Sequence, residues 1–80
     1  MKDYKALIDF NFLNAMDITV SQAPRCPWQF FVTHPDLEAR FVYYPSTGAA
    51  VYEAESGGKS SYIVKDEEEL FALVMSKINK

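Results

Sequence analysis

The stretch Phe41-Val-Tyr-Tyr-Pro-Ser-Thr-Gly-Ala-Ala-Val-Tyr52 constrains the fold more than any other part of the chain. Two runs of aromatic, β-branched and small apolar residues flank Pro45-Ser-Thr-Gly48. In that loop Pro45 presets φ and Gly48 supplies a left-handed residue, which together predict a β-hairpin. A four-residue loop pairs Tyr44 with Ala49, Val42 with Val51 and Phe41 with Tyr52. It also sets Arg40 opposite Glu53, a favourable cross-strand pair.

The rest of the chain supplies partners for this hairpin. Trp28 to His34 and Glu38 to Tyr44 read as strands joined by a turn at Pro35-Asp36, which pairs Phe31 with Arg40 and Phe30 with Phe41. Ala49 to Glu55 and Ser60 to Lys65 read as strands joined by Gly57-Gly58, which pairs Glu53 with Tyr62 and Tyr52 with Ile63. Asp17 to Gln22 is a short strand around Ile18 and Val20, and Ala23-Pro-Arg-Cys-Pro27 is a loop. Residues 66–78 carry the strongest helix signal, with Asp66 as N-cap and Glu69 three positions on, the spacing of a capping box. Leu70, Phe71, Leu73, Val74, Met75 and Ile78 form its apolar stripe. Glu67, Glu68 and Glu69 sit where the helix dipole favours negative charge, and Lys77 and Lys80 where it favours positive.

Asp3 to Met16 satisfies two periodicities. As a helix capped by Asp3 it places Tyr4, Leu7, Ile8, Phe12, Ala15 and Met16 on one face. As a strand it alternates Ile8, Phe10 and Phe12 with Asp9 and Asn11, and the helical reading is narrowly ahead. The predicted fold is a single α+β domain over residues 1–80. It consists of a four- or five-stranded antiparallel meander with a C-terminal helix and an N-terminal helix.

Together the three turn assignments sort the side chains onto two faces. Trp28, Phe30, Val32, Ala39, Phe41, Tyr43, Ala50, Tyr52, Ala54 and Ile63 form the expected core, which the C-terminal helix covers. The opposite face gathers Gln29, Phe31, Thr33, Glu38, Arg40, Val42, Tyr44, Val51, Glu53, Glu55, Ser60, Tyr62 and Val64. Phe31, Arg40, Val42, Tyr44, Val51, Glu53 and Tyr62 at its centre have the composition of an interface, an apolar middle with a polar rim. The competing reading is ordinary β-surface, or a face covered by the N-terminal segment.

Eighty residues, 49% hydrophobic and 15% aromatic, suffice for one compact core. Cys26 has no second cysteine to pair with, and with no secretory signal the expectation is a reducing, cytoplasmic compartment. No apolar run approaches the roughly 18 residues of a membrane span. A net charge of −3 disfavours attraction to nucleic acid or anionic lipid as the main function, and is modest for imitating a duplex.

Catalytic readings find little support. Cys26, His34 and Asp36 contain the groups of a thiol triad, but six strand steps of about 3.3 Å separate Cys26 from His34 by roughly 20 Å. One cysteine and one histidine offer no zinc-ligand spacing, and Gly57-Gly58 is better explained as a turn than as a phosphate loop. No cofactor and no enzymatic activity are expected.

At the N-terminus Met1-Lys2, Lys5, Leu7 and Leu13-Asn-Ala-Met-Asp-Ile-Thr-Val20 resemble small phage-encoded anti-CRISPR proteins that inhibit type I-F CRISPR surveillance complexes. The strand and acidic helix from Tyr62 to Ile78 are loosely similar as well. The resemblance implies an N-terminal strand and a non-enzymatic inhibitor that binds a Cas backbone subunit and blocks pairing of target DNA with the guide. The family's sheet tyrosines fall at Ala6 and Ser21 in this chain, so no site residue is carried over. The expected partner is another protein or protein complex. Single-stranded nucleic acid stacked on Phe31, Tyr44 and Tyr62, or a second copy of the chain on the same face, are the alternatives.

Overall fold

A computed structural model describes residues 3–78. Five strands form one antiparallel sheet in the order β1-β2-β3-β4-β5: β1 Thr19–Gln22, β2 Phe30–Thr33, β3 Arg40–Tyr44, β4 Ala49–Glu53 and β5 Lys59–Ile63. Helices α1 (Phe10–Ala15) and α2 (Glu67–Ile78) complete the α+β fold, preceded by a 3₁₀ turn over Tyr4–Leu7.

The N-terminal segment is helical but in two pieces, because it contains two capping aspartates. The Asp3 carboxylate accepts from the Lys5 N–H at 3.1 Å and starts the 3₁₀ turn, whereas Asp9 accepts from the Phe12 N–H at 3.1 Å and starts α1. The break re-phases the apolar side chains. Ile8 and Leu13 are buried, while Leu7 and Met16, expected on the inner face, are exposed. The Asp9 N–H donates to Glu67 Oε1 at 3.0 Å, fastening the start of α1 to the start of α2, and Phe12 meets Phe71 edge-on at 6.3 Å.

Helix α1 ends in a Schellman arrangement. The Ile18 N–H donates to the Leu13 carbonyl at 2.9 Å and the Asp17 N–H to the Asn14 carbonyl at 3.1 Å. Leu13 and Ile18, the residues such a motif brings into apolar contact, are both buried in the core. The left-handed position between them is occupied by Asp17, with φ of 62°.

The C-terminal helix follows its capping signal. Asp66 Oδ1 accepts from the Glu69 N–H at 3.0 Å, and the returning Glu69 Oε1 accepts from the Lys65 N–H at 2.9 Å, one residue earlier than the usual box. Leu70 and Val74 are fully buried. They close a core with Leu13, Ile18, Phe30, Val32, Phe41, Tyr43 and Ala50, so both helices lie on one side of the sheet. Met1, Lys2 and Lys80 lie outside the described residues.

Strand pairing in the central hairpin is the expected one, from Tyr44↔Ala49 through Arg40↔Glu53. The two flanking registers differ from expectation. The His34 turn forms, with the Leu37 N–H donating to the His34 carbonyl at 3.0 Å and His34 Nδ1 accepting from the Asp36 N–H at 3.0 Å. Pairing of β2 with β3 resumes only at Phe41, opposite Val32, because Leu37 folds into the core. Phe30 therefore faces Tyr43, and Phe31 faces Val42 rather than Arg40. This slide of two residues keeps every side chain on its expected face.

The β4–β5 register slides by three. The Gly57 N–H donates to the Ala54 carbonyl and the Ala54 N–H to the Gly58 carbonyl, leaving Glu55-Ser-Gly57 as a three-residue loop with Gly57 at φ of 92°. Glu53 pairs with Lys59, Tyr52 with Ser60 and Ala50 with Tyr62. An odd slide inverts the strand, so Tyr62 and Ser60 turn to the helix side and Ile63 turns outward. Val64, expected outside, is buried in the core, while Ile63, expected in the core, is 73% exposed. Trp28 also leaves its assigned place, since β2 begins at Phe30 and Trp28 lies in the preceding turn, 45% exposed.

Gly48 closes the central hairpin at φ of 80°, and a Cβ there would clash with the Val64 carbonyl oxygen. Gly48→Ala is expected to lose stability at the upper end of the about 1–3 kcal/mol typical of a non-glycine residue in a disfavoured region, read as a lower urea midpoint. Asp17→Gly acts in the opposite sense. Relief of the left-handed strain, less the added chain entropy of glycine, is expected to raise stability by about 0.5–1 kcal/mol in the same assay.

Candidate functional site

With both helices on one side, the other side of the sheet is built from the outward residues of all five strands. The pairings align three rows across it. The central row runs Ser21, Phe31, Val42, Val51, Ser61. One flanking row runs Arg40, Glu53, Lys59, and the other Tyr44, Ala49, Ile63. Residues at successive positions in a row are direct cross-strand neighbours, about 4.5–5.5 Å apart at Cβ.

Phe31, Arg40, Val42, Tyr44, Val51 and Glu53 are therefore brought together as the sequence predicts. Tyr62 is not, because the β5 inversion carries it to the helix side. Ile63, Ser61 and Lys59 join the face in its place. The signal that distinguishes the two registers is Val64: burying it, together with the single left-handed requirement at Gly57, selects the three-residue loop over the two-residue turn.

Val42 is only 3% exposed although no helix covers it, and it stands apart from the core cluster. Its pairing partners Phe31 and Val51 are half-buried around it, so the face has a small apolar centre of its own. Arg40 covers one flank. Its guanidinium carbon lies 4.3 Å above the Phe31 ring, and its Nε donates to Glu53 Oε1 at 3.0 Å. The pair is substantially exposed, so its contribution to stability is about 0.2–1 kcal/mol; its main effect is to hold the guanidinium over the ring. Beside it a cleft of about 380 Å³ is lined by Glu38, Ala39, Arg40, Glu53, Ala54 and Glu55, three carboxylates against one guanidinium.

No protein-family model, curated protein or solved structure matches the chain. The N-terminal strand implied by the resemblance to type I-F inhibitors is replaced by the 3₁₀ turn and α1.

On the helix side Tyr62 enters a different arrangement. Lys77 Nζ donates to Tyr62 Oη at 2.6 Å and sits over the rings of Tyr52 and Tyr62, 5.1 and 4.9 Å from their centroids. The hydrogen bond from Lys77 lowers the Tyr62 phenol below the ordinary tyrosine value. Tyr43 moves the other way: burial raises its phenol, and the negative charges of Glu67 and Asp66 add to the effect. Among the described residues no cluster of three or more histidine, cysteine or carboxylate side chains is placed to hold a metal ion.

The two shifted phenols have opposite linkage to folding. Tyr62, lowered in the folded state, adds stability as pH rises through its folded pKa toward the unfolded value near 10, and contributes nothing when protonated in both states at neutral pH. Tyr43, raised in the folded state, costs stability as pH climbs above 10. In a spectrophotometric alkaline titration Tyr62 is expected to ionise first and Tyr43 late. Lys77→Met should move the early phase upward, and Tyr62→Phe should abolish it.

Proposed function

We propose that this protein is a non-catalytic module that binds another protein through the open face of its sheet. The observation that carries the reading is the apolar centre at Phe31, Val42 and Val51, bordered by Tyr44 and Ile63 on one side and by the Arg40–Glu53–Lys59 row on the other. Aromatic and arginine side chains around an apolar centre are the residues that dominate binding energy at protein interfaces. The three carboxylates lining the cleft beside Arg40 favour a partner that presents a basic group at that corner. A nucleic-acid backbone is served less well, because Glu53 bonds Arg40 and lies opposite Lys59.

The finer form of the proposal is steric inhibition of a nucleic-acid-processing complex, a type I-F CRISPR surveillance complex being the specific case. Its support is the likeness over Leu13 to Val20, which here form the end of α1, its Schellman turn and the start of β1.

The test is capture from cell lysate, titration of the identified partner, and titration of purified type I-F surveillance complex in parallel. Tyr44→Ala and Phe31→Ala are each expected to weaken binding about tenfold or more, the range of an interfacial anchor. Tyr62→Phe, on the helix side, should leave affinity unchanged. Retained binding by both face variants would overturn the reading, and failure to bind the surveillance complex would remove its finer form alone.

A further inference from the structure

The strand order leaves β5 at an edge of the sheet. Which of its backbone groups are free follows from the pairing. The Ala54 N–H donates to the Gly58 carbonyl and the Val64 N–H to the Gly48 carbonyl, so pairs 54:58 and 48:64 are hydrogen-bonded positions. Hydrogen-bonded and non-hydrogen-bonded pairs alternate along an antiparallel ladder, which makes Tyr52↔Ser60 and Ala50↔Tyr62 the bonded pairs between them. The N–H and C=O groups of Lys59, Ser61 and Ile63 therefore point away from β4, along the free edge.

We infer that a second copy of this chain pairs with that edge, β5 against β5 in antiparallel register centred on Ser61, to give a two-fold symmetric ten-stranded sheet. The argument is self-complementarity. A two-fold axis at Ser61 sets Ser61 opposite itself and Lys59 opposite Ile63 of the second copy. The three outward-pointing residues of each copy are then matched as hydrogen-bonded pairs, as an isologous interface requires.

The side chains fit the same register. On the helix side Ser60 lies opposite Tyr62 of the second copy, small against large. On the open side Ser61 lies opposite Ser61. Ile63, 73% exposed in the single chain, comes under the aliphatic stem of Lys59 from the second copy.

Charge does not oppose the pairing. The two Lys59 residues stand at opposite ends of the joined strands, roughly 14 Å apart along the strand direction and beyond the screening length of about 8 Å at physiological salt. Each already lies opposite Glu53 of its own chain. Lys77 sits between the Tyr52 and Tyr62 rings, inboard of the edge. The other edge is less suited: β1 has four residues, and the Gln22 side chain at its end is bonded to the Pro27 carbonyl.

Sedimentation equilibrium across a concentration series of the full chain is the test, with mass rising toward twice the monomer value as the expected result. Ser61→Pro removes an outward N–H that β4 does not use, and is expected to return the mass to that of the monomer. Ile63→Lys changes an exposed side chain, leaves folding intact and places like charges opposite each other across the axis, and is expected to do the same. Tyr44→Ala and Phe31→Ala should leave the doubling unchanged, which separates this inference from the binding reading of the face. A monomeric mass at the highest soluble concentration would overturn it. So would a dimer that survives both edge variants.

Discussion

The approach of Gly48 to Val64 is the contact on which the arrangement of this protein depends. Gly48 takes a left-handed conformation that closes the β3–β4 hairpin, and its carbonyl accepts the Val64 N–H at 2.8 Å. The absence of a side chain lets the Val64 carbonyl lie where a Cβ would be. One position thus sets the register of the central hairpin and anchors the far end of β5. It also delivers the chain to Asp66, which caps α2. Val64 is buried at this junction and Ile63 is turned out, so the division of β5 between core and surface follows from the same contact.

Helix placement depends on a second set of local hydrogen bonds. Asp9 caps α1 with its side chain and offers its own N–H to Glu67, in the first turn of α2. The Schellman turn at Asp17 then reverses the chain into β1 with Leu13 and Ile18 both inside. These bonds, together with the apolar stripes that meet Phe30, Phe41 and Tyr43, direct both helices to the same side of the sheet. The N-terminal segment, the alternative cover for the open face, is committed to the helix side.

Local chemistry made much of this legible. The Pro45–Gly48 turn specified the β3–β4 register, and Asp66 with Glu69 specified the start of α2. Arg40 opposite Glu53 and the grouping of Phe31, Val42, Tyr44 and Val51 followed from the hairpin. The two departures in register have different consequences for physical reasons. At His34 the turn residues form their turn, but Leu37 is drawn into the core and lengthens the connection by an even number of positions, which pairing parity forgives. At Gly57-Gly58 two adjacent glycines suggested a two-residue turn, whereas the backbone needs a left-handed residue only at Gly57 and bends through Glu55 and Ser56. The difference is odd, and Tyr62 exchanged faces with Ile63. The N-terminal break was hidden because Asp3 and Asp9 are both competent caps within one continuous periodic pattern.

Val42 is shielded almost completely by its neighbours in the sheet, on the side away from the core. The sheet therefore works as a partition between two apolar groupings that share backbone but few side-chain contacts. Substitutions on opposite sides of such a partition are close to energetically independent. The residues that hold the helices can stay fixed while the outward row at Phe31, Tyr44, Val51 and Ile63 changes. A small chain organised in this way can change the chemistry of that outward row without passing through sequences that no longer fold.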